Sequence, residues 1–508
     1  MSSQRVFGRQ TLAQTPPSPR FEQRERILPL AFLRSLSAWP RPLLKTCEMC
    51  SSSQLLTWFR SLFVAVSRIQ SKVARGRRSL RRARKLPEGV TRDQTRYWNR
   101  ERAFDGLQGG QLPDNQVGDF AARNASITPF RVIELLERAR ALEAQGRDVI
   151  HLEVGEPDFP TAAPIVAAAH RALEAGATRY TQALGIPALR EAISGYYERQ
   201  VGIRVPPSRV IVTSGASGGL LLLMALLIGP DDELLLTDPG YPCNEVFVWL
   251  TNGTPVRIPL RPERQFLLNA ADVDAHWSER TRGLLLASPA NPTGAMLASD
   301  SLRSLADLVR QRQGFLILDE IYQGLVYETE RPCRSGLEVA EDLYVLNSFS
   351  KYFGMTGWRL GWMVVPEAAV EPLARLAQNL FISPPSLSQH AALAAFSEPA
   401  LEIHELRRQA FERRRDVLVN GLESLGFGIP LRPAGAFYVY TDISRTGLDA
   451  MTFCTRLLEE HAVAVTPGDD FGMINPERWV RFAFTADEAR IKESIERIRG
   501  ALKGWGLA

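Results

Sequence analysis

Residues 348–359 read SFSKYFGMTGWR, in which Lys351 follows two serines and precedes Arg359 by eight positions. A lysine amine forms an imine with an aldehyde, and enzymes use this bond to hold a cofactor covalently. Serine hydroxyls and a fixed guanidinium are groups that bind phosphate through charge-assisted hydrogen bonds. The stretch therefore indicates a ligand site with a covalent anchor and a phosphate grip. A surface loop with a solvated lysine is the alternative.

Short apolar runs alternate with helical patterns on the N-terminal side of this stretch. The predicted strands are the runs at residues 209–213, 233–237, 283–287, 315–318 and 344–347, and a separate strand precedes them at residues 149–154. That order is typical of a mostly parallel sheet covered by helices on both faces, because crossover helices pack against each face. Ligands of such sheets bind at loops beyond the carboxyl ends of the strands. We therefore expect an α/β fold with its site at those loops.

The same pattern divides the chain into a large and a small domain. We expect residues 161–395 to form the large domain. Residues 119–160 and 396–508 together form a smaller α+β domain, to which the first of these segments contributes a helix at 127–145. Its other predicted elements are a helix at 401–425, strands at 435–440, 463–466 and 479–484, and a C-terminal helix.

Residues 1–118 differ from the rest of the chain in charge and pattern. Residues 1–100 hold 21 Lys and Arg against 5 Asp and Glu, a net charge of +16, whereas the remaining residues carry −11. The segment lacks regular strand and helix signals, so we expect a disordered basic extension without a nucleic-acid or membrane partner. An organelle transit peptide, a DNA-binding module, or translated upstream sequence with a native start near residues 115–120 are the alternatives.

Composition places the chain among ordinary soluble proteins, with 45% hydrophobic and 23% charged residues. No apolar run reaches the 18 or so residues that a membrane-spanning helix needs. The five cysteines are few and scattered, which fits free thiols in a reducing compartment, and we expect a cytoplasmic protein. Cys47 and Cys50 form a lone CxxC without a second pair, so we expect no metal site.

Three further motifs each follow a predicted strand. Residues 213–218 (TSGASG) open an apolar helix, and a helix N-terminus offers free N–H groups to a phosphate. Asn291 precedes a proline, which favours an extended backbone that aims the amide into a site. Asp319 ends a buried strand three residues before Tyr322, and a buried carboxylate needs a cation or strong donors nearby. Each motif alone is compatible with an ordinary turn or helix cap.

Together, the order and spacing of these motifs resemble the class I and II aminotransferases, pyridoxal-phosphate (PLP) enzymes of fold type I. The resemblance extends from about residue 123 to residue 506. It implies PLP as the cofactor, Lys351 as the Schiff-base lysine and proton carrier, and Asp319 as the partner of the pyridine nitrogen. It implies that Tyr322 and Asn291 contact the phenolate oxygen. The implied phosphate cradle consists of Gly215, Ala216, Ser217, Ser348 and Arg359. The ring of Tyr241 would stack on the pyridine.

The resemblance also implies roles toward the substrate and a second subunit. The Gly155 backbone would lie against the bound amino acid, and Arg481 would clamp its α-carboxylate. Tyr180 would reach the phosphate of the neighbouring subunit, which implies a homodimer. The implied activity is transfer of an amino group from an L-amino acid to a 2-oxo acid.

Two other functions compete with this interpretation. A PLP-dependent lyase on the same fold would carry nearly identical cofactor residues. A DNA-binding regulator with an aminotransferase-like sensor domain would explain the basic front end, yet residues 1–115 show at most one amphipathic helix. The amino donor also stays open. Residues 220–228 and 382–386 hold no cation for a distal carboxylate, which favours apolar, aromatic or small donors, although a partner subunit could supply that charge.

Overall fold

The computed structural model describes residues 121–327 and 334–507. The predictions made for residues 1–118 lie outside this part of the chain. In the described ranges, the β-strands are β1 (Ile150–His151), β2 (Val210–Thr213), β3 (Glu233–Asp238), β4 (Thr254–Pro259), β5 (Thr281–Ala287), β6 (Phe315–Asp319), β7 (Tyr344–Ser348), β8 (Gly361–Val364), β9 (Tyr438–Asp442), β10 (Val463–Ala464), β11 (Thr466–Pro467) and β12 (Trp479–Ala483). The α-helices are α1 (Arg131–Glu143), α2 (Ala163–Glu174), α3 (Pro187–Tyr196), α4 (Gly215–Leu227), α5 (Cys243–Leu250), α6 (Ala270–His276), α7 (Ser299–Gln311), α8 (Glu367–Leu380), α9 (Ser386–Ala392), α10 (Glu398–Ser424), α11 (Ala450–His461) and α12 (Glu488–Gly504).

A seven-stranded sheet in the order β2-β8-β7-β6-β5-β3-β4 forms the centre of the fold. Strand β8 is antiparallel to both of its neighbours, and the other neighbouring pairs are parallel. Successive side chains enter opposite cores: Leu235 packs with α3 and α7, whereas Leu234 and Leu236 pack with α4 and α8. Burial on both faces explains the continuous apolar runs of these strands. The prediction of a mostly parallel sheet covered on both faces is confirmed.

The carboxyl ends of the parallel strands meet at one edge of this sheet, where β6 ends at Asp319 and β7 ends at Ser348. The reversed strand β8 begins at the same edge, because Gly361 pairs with Thr213 on one side and Ser348 on the other. The connection from β7 to β8 therefore leaves and returns at this edge, and it carries both Lys351 and Arg359.

A second core lies in the smaller α+β part. Strands β11, β12 and β9 form an antiparallel sheet, and β1 pairs in parallel with β10. Helices α1, α10, α11 and α12 contribute their buried apolar side chains to this core. The predicted α+β part is thus present, while the domain limits at residues 160 and 395 stay predictions.

Candidate active site

A cavity of about 340 Å³ opens at the carboxyl edge of the central sheet. It brings together residues that are far apart in sequence, from both the large sheet and the smaller core. The predicted site residues that line it are Gly155, Ala216, Ser217, Tyr241, Asn291, Asp319, Tyr322, Ser348, Lys351, Arg359 and Arg481. Gly215 lies directly beside the lining, whereas Tyr180 is not part of it.

Lys351 follows β7 and extends its amine into the cavity. The amine donates a 2.7 Å hydrogen bond to the carbonyl of Gly155 and lies 5.6 Å from the ring centroid of Tyr322. Burial lowers the pKa of Lys351 to about 8, and the positive charge of Arg481 adds to that effect. A substantial fraction of the amine is therefore neutral, and nucleophilic, slightly above neutral pH.

Asp319 ends β6 and is 4% exposed. Its carboxylate accepts a 3.1 Å hydrogen bond from the backbone N–H of Ile321. Among the described residues it has no ion-pair partner. Burial raises the pKa of Asp319 to about 6, although the Ile321 N–H and the charge of Lys351 oppose this shift. A buried carboxylate of this kind is suited to a cationic group placed beside it.

The start of α4 and the side chain of Arg359 form the predicted phosphate cradle. The N-cap residue Ser214 makes no capping hydrogen bond through its side chain, so the first N–H groups of the helix have no protein acceptor from that source. Gly215 has φ +72°, and a Cβ atom there would lie 2.8 Å from Nη2 of Arg359. Glycine thus permits both the backbone conformation and the close approach of the guanidinium. Together these donors make a site for an anion.

Arg481 lies on β12, is 5% exposed, and is held by acceptors on three sides. Its Nη1 donates to the side-chain oxygen of Asn291 at 3.0 Å. Its Nη2 donates to the carbonyl of Glu153 at 2.5 Å and to the hydroxyl of Thr466 at 3.3 Å. The guanidinium therefore has a fixed orientation in the cavity wall.

The same guanidinium retains donor capacity for a ligand. It stacks between two aromatic rings, with Tyr438 at 4.3 Å and Phe471 at 4.6 Å from its central carbon. Its buried Nε has no hydrogen-bond partner within the described ranges. An unsatisfied buried donor is costly unless a ligand completes it, and a carboxylate matches the planar donor pattern of arginine.

Tyr438 is a cavity residue that was not predicted from the sequence. Its hydroxyl lies 2.8 Å from the hydroxyl of Tyr322, and either oxygen can donate. Burial raises the pKa of both tyrosines, so both remain protonated at neutral pH. A Cβ atom on Gly155 would lie 2.0 Å from the Tyr438 hydroxyl oxygen. The aromatic content of residues 437–440 was the available signal, but it equally indicates a core strand.

Asp470 and Phe471 also line the cavity and were not predicted. They follow β11 in a short helical turn, and only the tertiary fold brings them to the sheet edge. Tyr180 differs from the other predicted residues, because its side chain is 80% exposed in the segment between α2 and α3.

Comparison of the sequence with known proteins identifies the family of this chain. The family model "Aminotransferase class I and II" matches residues 147–498. The valine–pyruvate aminotransferase of Mycobacterium tuberculosis is 36% identical over 380 residues, which cover 75% of this chain and 98% of that protein. The arginine–pyruvate transaminase of Pseudomonas aeruginosa is 36% identical over 362 residues, which cover 71% of this chain and 92% of that protein.

A solved structure agrees with these matches. The aspartate aminotransferase of Thermus thermophilus with maleate has a TM-score of 0.71 and 34% sequence identity, covering 76% of this chain and all of that one. Within residues 121–327 and 334–507, no helix is long and apolar enough to cross a membrane. The chain belongs to the class I and II aminotransferases, the PLP-dependent enzymes that transfer amino groups.

Proposed function

We propose that this enzyme moves an amino group from an L-amino acid to a 2-oxo acid, with Lys351 as both cofactor anchor and proton carrier. The observation that carries the proposal is the position of the Lys351 amine. It lies in one cavity with the buried carboxylate of Asp319 and the unpartnered Nε of Arg481.

The described residues fit PLP on three independent grounds. Asp319 is a buried carboxylate without a cationic partner in the described ranges, and a protonated pyridine nitrogen would supply one. Arg359 and the uncapped start of α4 offer donors for the phosphate. Asn291 and Tyr322 line the same cavity and would contact the phenolate oxygen.

The remaining cofactor contacts follow from position. Ala216 and Ser217 lie in the first turn of α4, Ser348 ends β7, and all three line the cavity. We assign these residues to the phosphate. Tyr241 lines the cavity, and we assign its ring to the face of the pyridine.

PLP, when bound, supplies an aldehyde for the lysine amine and a ring that withdraws electrons from the bonds at the substrate's Cα. Arg481 binds the α-carboxylate through Nε, while Asn291 and Glu153 keep the guanidinium plane fixed. Lys351 accepts the proton of Cα at Nζ, which the lowered pKa of about 8 keeps available as a base. Gly155 orients this amine through its carbonyl oxygen.

Replacement of Lys351 tests the proposal. In Lys351→Ala, no group remains to move the proton, so we expect at least about a 10³-fold loss of turnover, with loss of the absorbance of covalently bound cofactor. Lys351→Arg keeps the charge and is the matched control, which we also expect to be inactive. Full turnover in either variant would refute the role. Release of ammonia without dependence on a 2-oxo acid would favour the lyase instead.

We also propose a homodimer in which Tyr180 reaches the phosphate of the neighbouring subunit. The 80% exposure of this side chain in a single chain supports the proposal. Mixing Tyr180→Ala and Lys351→Ala chains tests it, because each mixed dimer then regains one complete site. Random exchange of subunits should restore about a quarter of wild-type activity. If Tyr180 acts only within its own chain, the mixture gains nothing.

We propose the cytoplasm as the compartment. The cysteines within the described ranges, Cys243 and Cys454, are free thiols, which suits a reducing environment. Fractionation of cells that express the full chain tests this assignment, and enzyme recovered in a sedimentable organelle fraction would contradict it.

A further inference from the structure

One end of helix α1 forms an apolar wall of the cavity. The residues that contribute to this wall, called here the α1 face, are Phe130, Val132, Ile133 and Leu136. Leu135, Ala139 and Leu142 point instead into the core of the smaller part. This division follows from helical spacing, since positions three and four residues apart share one side. The helix is thus anchored on one side and presents apolar groups to the cavity on the other.

Ile133 is the exposed member of the α1 face, with 48% of its surface accessible. Exposure of a large aliphatic side chain to water at the wall of a cavity is unfavourable. An apolar group that covers it removes this surface from water and lowers the free energy. Leu220 is also apolar and lines the same cavity. The position of Ile133 therefore favours an apolar occupant.

A single carboxylate fixes the start of α1. The N-cap residue Phe130 provides no side-chain acceptor. Instead, Asp470 accepts hydrogen bonds from the backbone N–H groups of Arg131 and Val132, both at 2.8 Å. Asp470 is 8% exposed and itself lines the cavity. Asp470 therefore sets the position of the α1 face relative to Lys351 and Arg481 and is itself a positioning residue.

The charges near the α1 face do not suit a second carboxylate. None of the three arginines of α1 lines the cavity. Arg131 contacts Glu134 at 2.9 Å and Arg138 contacts Glu459 at 2.5 Å. Within the described ranges, the cations that line the cavity are Lys351, Arg359 and Arg481, to which roles are already assigned. The carboxylate of Asp470 adds a negative charge at this end, which opposes a dicarboxylate donor.

We propose that the α1 face is the side-chain subsite of the amino donor, that it selects donors with apolar side chains, and that Asp470 positions it. The inference rests on the proposed transamination and specifies the class of its donor. Leucine-like side chains would cover Ile133 and Leu136, whereas the methyl group of alanine is too short to depend on them.

The test is the half-reaction of the full-length holoenzyme with leucine, alanine or aspartate in the absence of a 2-oxo acid acceptor. The absorbance of the bound cofactor monitors its progress. We expect leucine to react at least about 10-fold faster than aspartate at equal concentration. Ile133→Ala and Leu136→Ala should each lower the second-order rate constant of the half-reaction with leucine about 10-fold and lower that with alanine much less. Leu406→Ala is the matched control, because Leu406 is 65% exposed on α10 and away from the cavity. Equal rates for aspartate and leucine would overturn the apolar selection.

Asp470 is tested by a change in donor discrimination. Asp470→Ala frees the start of α1, so the half-reaction should show a weaker apparent affinity for leucine and a much smaller change with alanine. Asp470→Asn retains one of the two acceptor oxygens and should restore part of the preference. An equal loss for both donors in Asp470→Ala would overturn the positioning role and indicate general damage. Ile133→Lys adds a cation to the subsite and should raise the rate with aspartate. Unlike the alanine variants, it does not leave a void, so the gain cannot come from loss of packing.

Binding separates failure of the inference from failure of the proposed function. Calorimetric titration of the holoenzyme with 4-methylpentanoate and butanedioate measures the subsite without turnover. Tighter binding of 4-methylpentanoate, weakened by Ile133→Ala, supports the inference even if no donor reacts. Tighter binding of butanedioate overturns it even if transamination is observed.

Discussion

The amine of Lys351 donates its 2.7 Å hydrogen bond to the carbonyl of Gly155, which lies four residues after strand β1 of the smaller α+β part. Lys351 itself follows a strand of the central sheet. The bond therefore joins the two cores at the reacting nitrogen. Any change that displaces the Gly155 backbone also displaces the acceptor that orients the amine.

We expect Gly155→Ala to reduce kcat/KM by about 10²-fold, because displacement of a reacting group by about 1 Å has this effect. The new Cβ would lie 2.0 Å from the Tyr438 hydroxyl, so the backbone or the tyrosine has to move. Steady-state kinetics and cofactor content measure the effect, and we expect the cofactor content to be retained. Gly500→Ala is the control, since nothing lies within 4 Å of a Cβ there. Normal kinetics in Gly155→Ala would argue against the orienting bond.

Replacement of Arg481 should mainly affect substrate binding. Arg481→Lys keeps the charge but removes the planar fork and leaves acceptors on Asn291 and Glu153 without their donor. We expect the KM for the amino donor to rise by about 10²-fold, which corresponds to roughly 3 kcal/mol. Arg499→Lys, at an exposed site on α12, is the matched control. An unchanged KM would show that the carboxylate binds elsewhere.

Asp319 should destabilise the cofactor-free protein above about pH 6. Its pKa is raised from 3.8 to about 6 by burial, so the folded state binds this proton more tightly than the unfolded state. Stability from this group is thus greatest below pH 3.8 and is lost as the pH rises through about 6. Asp319→Asn should stabilise the cofactor-free protein at pH 8 by on the order of 3 kcal/mol and yet abolish activity.

Urea unfolding of the cofactor-free proteins at pH 5 and pH 8 measures this difference. The stabilisation by Asp319→Asn should be larger at pH 8 than at pH 5. A variant that is less stable than the wild type at pH 8 would contradict the predicted cost of the buried charge.

His151 should give a stability contribution that also falls as the pH rises, but in a higher pH range than that of Asp319. A hydrogen bond to Glu153 is the main cause that raises its pKa to about 9, and Glu143 contributes as well. This stability is fully present below pH 6.5 and is lost as the pH rises through about 9. His151→Gln should therefore lower the Tm at pH 6 and have little effect at pH 10. An equal change in Tm at both values would contradict the prediction.

The cofactor side of the cavity could be predicted because its signals are local. Asp319, Asn291 and Lys351 each follow a buried strand, and parallel strands deliver their carboxyl ends to one edge. Chemistry-bearing residue types at such ends are therefore expected to converge. The predicted residue Tyr180 lies outside the cavity of a single chain, and the role proposed for it requires a second subunit.

The donor side of the cavity was not predictable in the same way. Tyr438, Asp470 and Phe471 enter it through packing of the smaller part on the sheet edge. Nothing in the local pattern of residues 468–471 distinguishes a capping carboxylate from a surface one. Asp470 caps a helix more than 300 positions earlier in the chain, which only the tertiary fold reveals.

Two strands of the central sheet were also missed. β4 contains Pro255 and Pro259, and proline in a sequence usually indicates the end of a strand. β4 is an edge strand of the sheet, where proline is tolerated. β8 has only four residues and directly follows the connection that carries Arg359. Helix α1 begins at Arg131 rather than at Ile127, since Pro129 disfavours helical geometry in the residue before it.

The α1 face and the cofactor residues occupy separate stretches of the chain, and the family match itself begins only at residue 147. With the role proposed for the α1 face, substitutions in the first two turns of α1 would alter which donor is accepted without touching the groups that hold the cofactor. Mutational drift in this helix would then give a route to new substrates that does not pass through an inactive enzyme. The residues that set the donor would thus be free to vary apart from those that the chemistry has to keep.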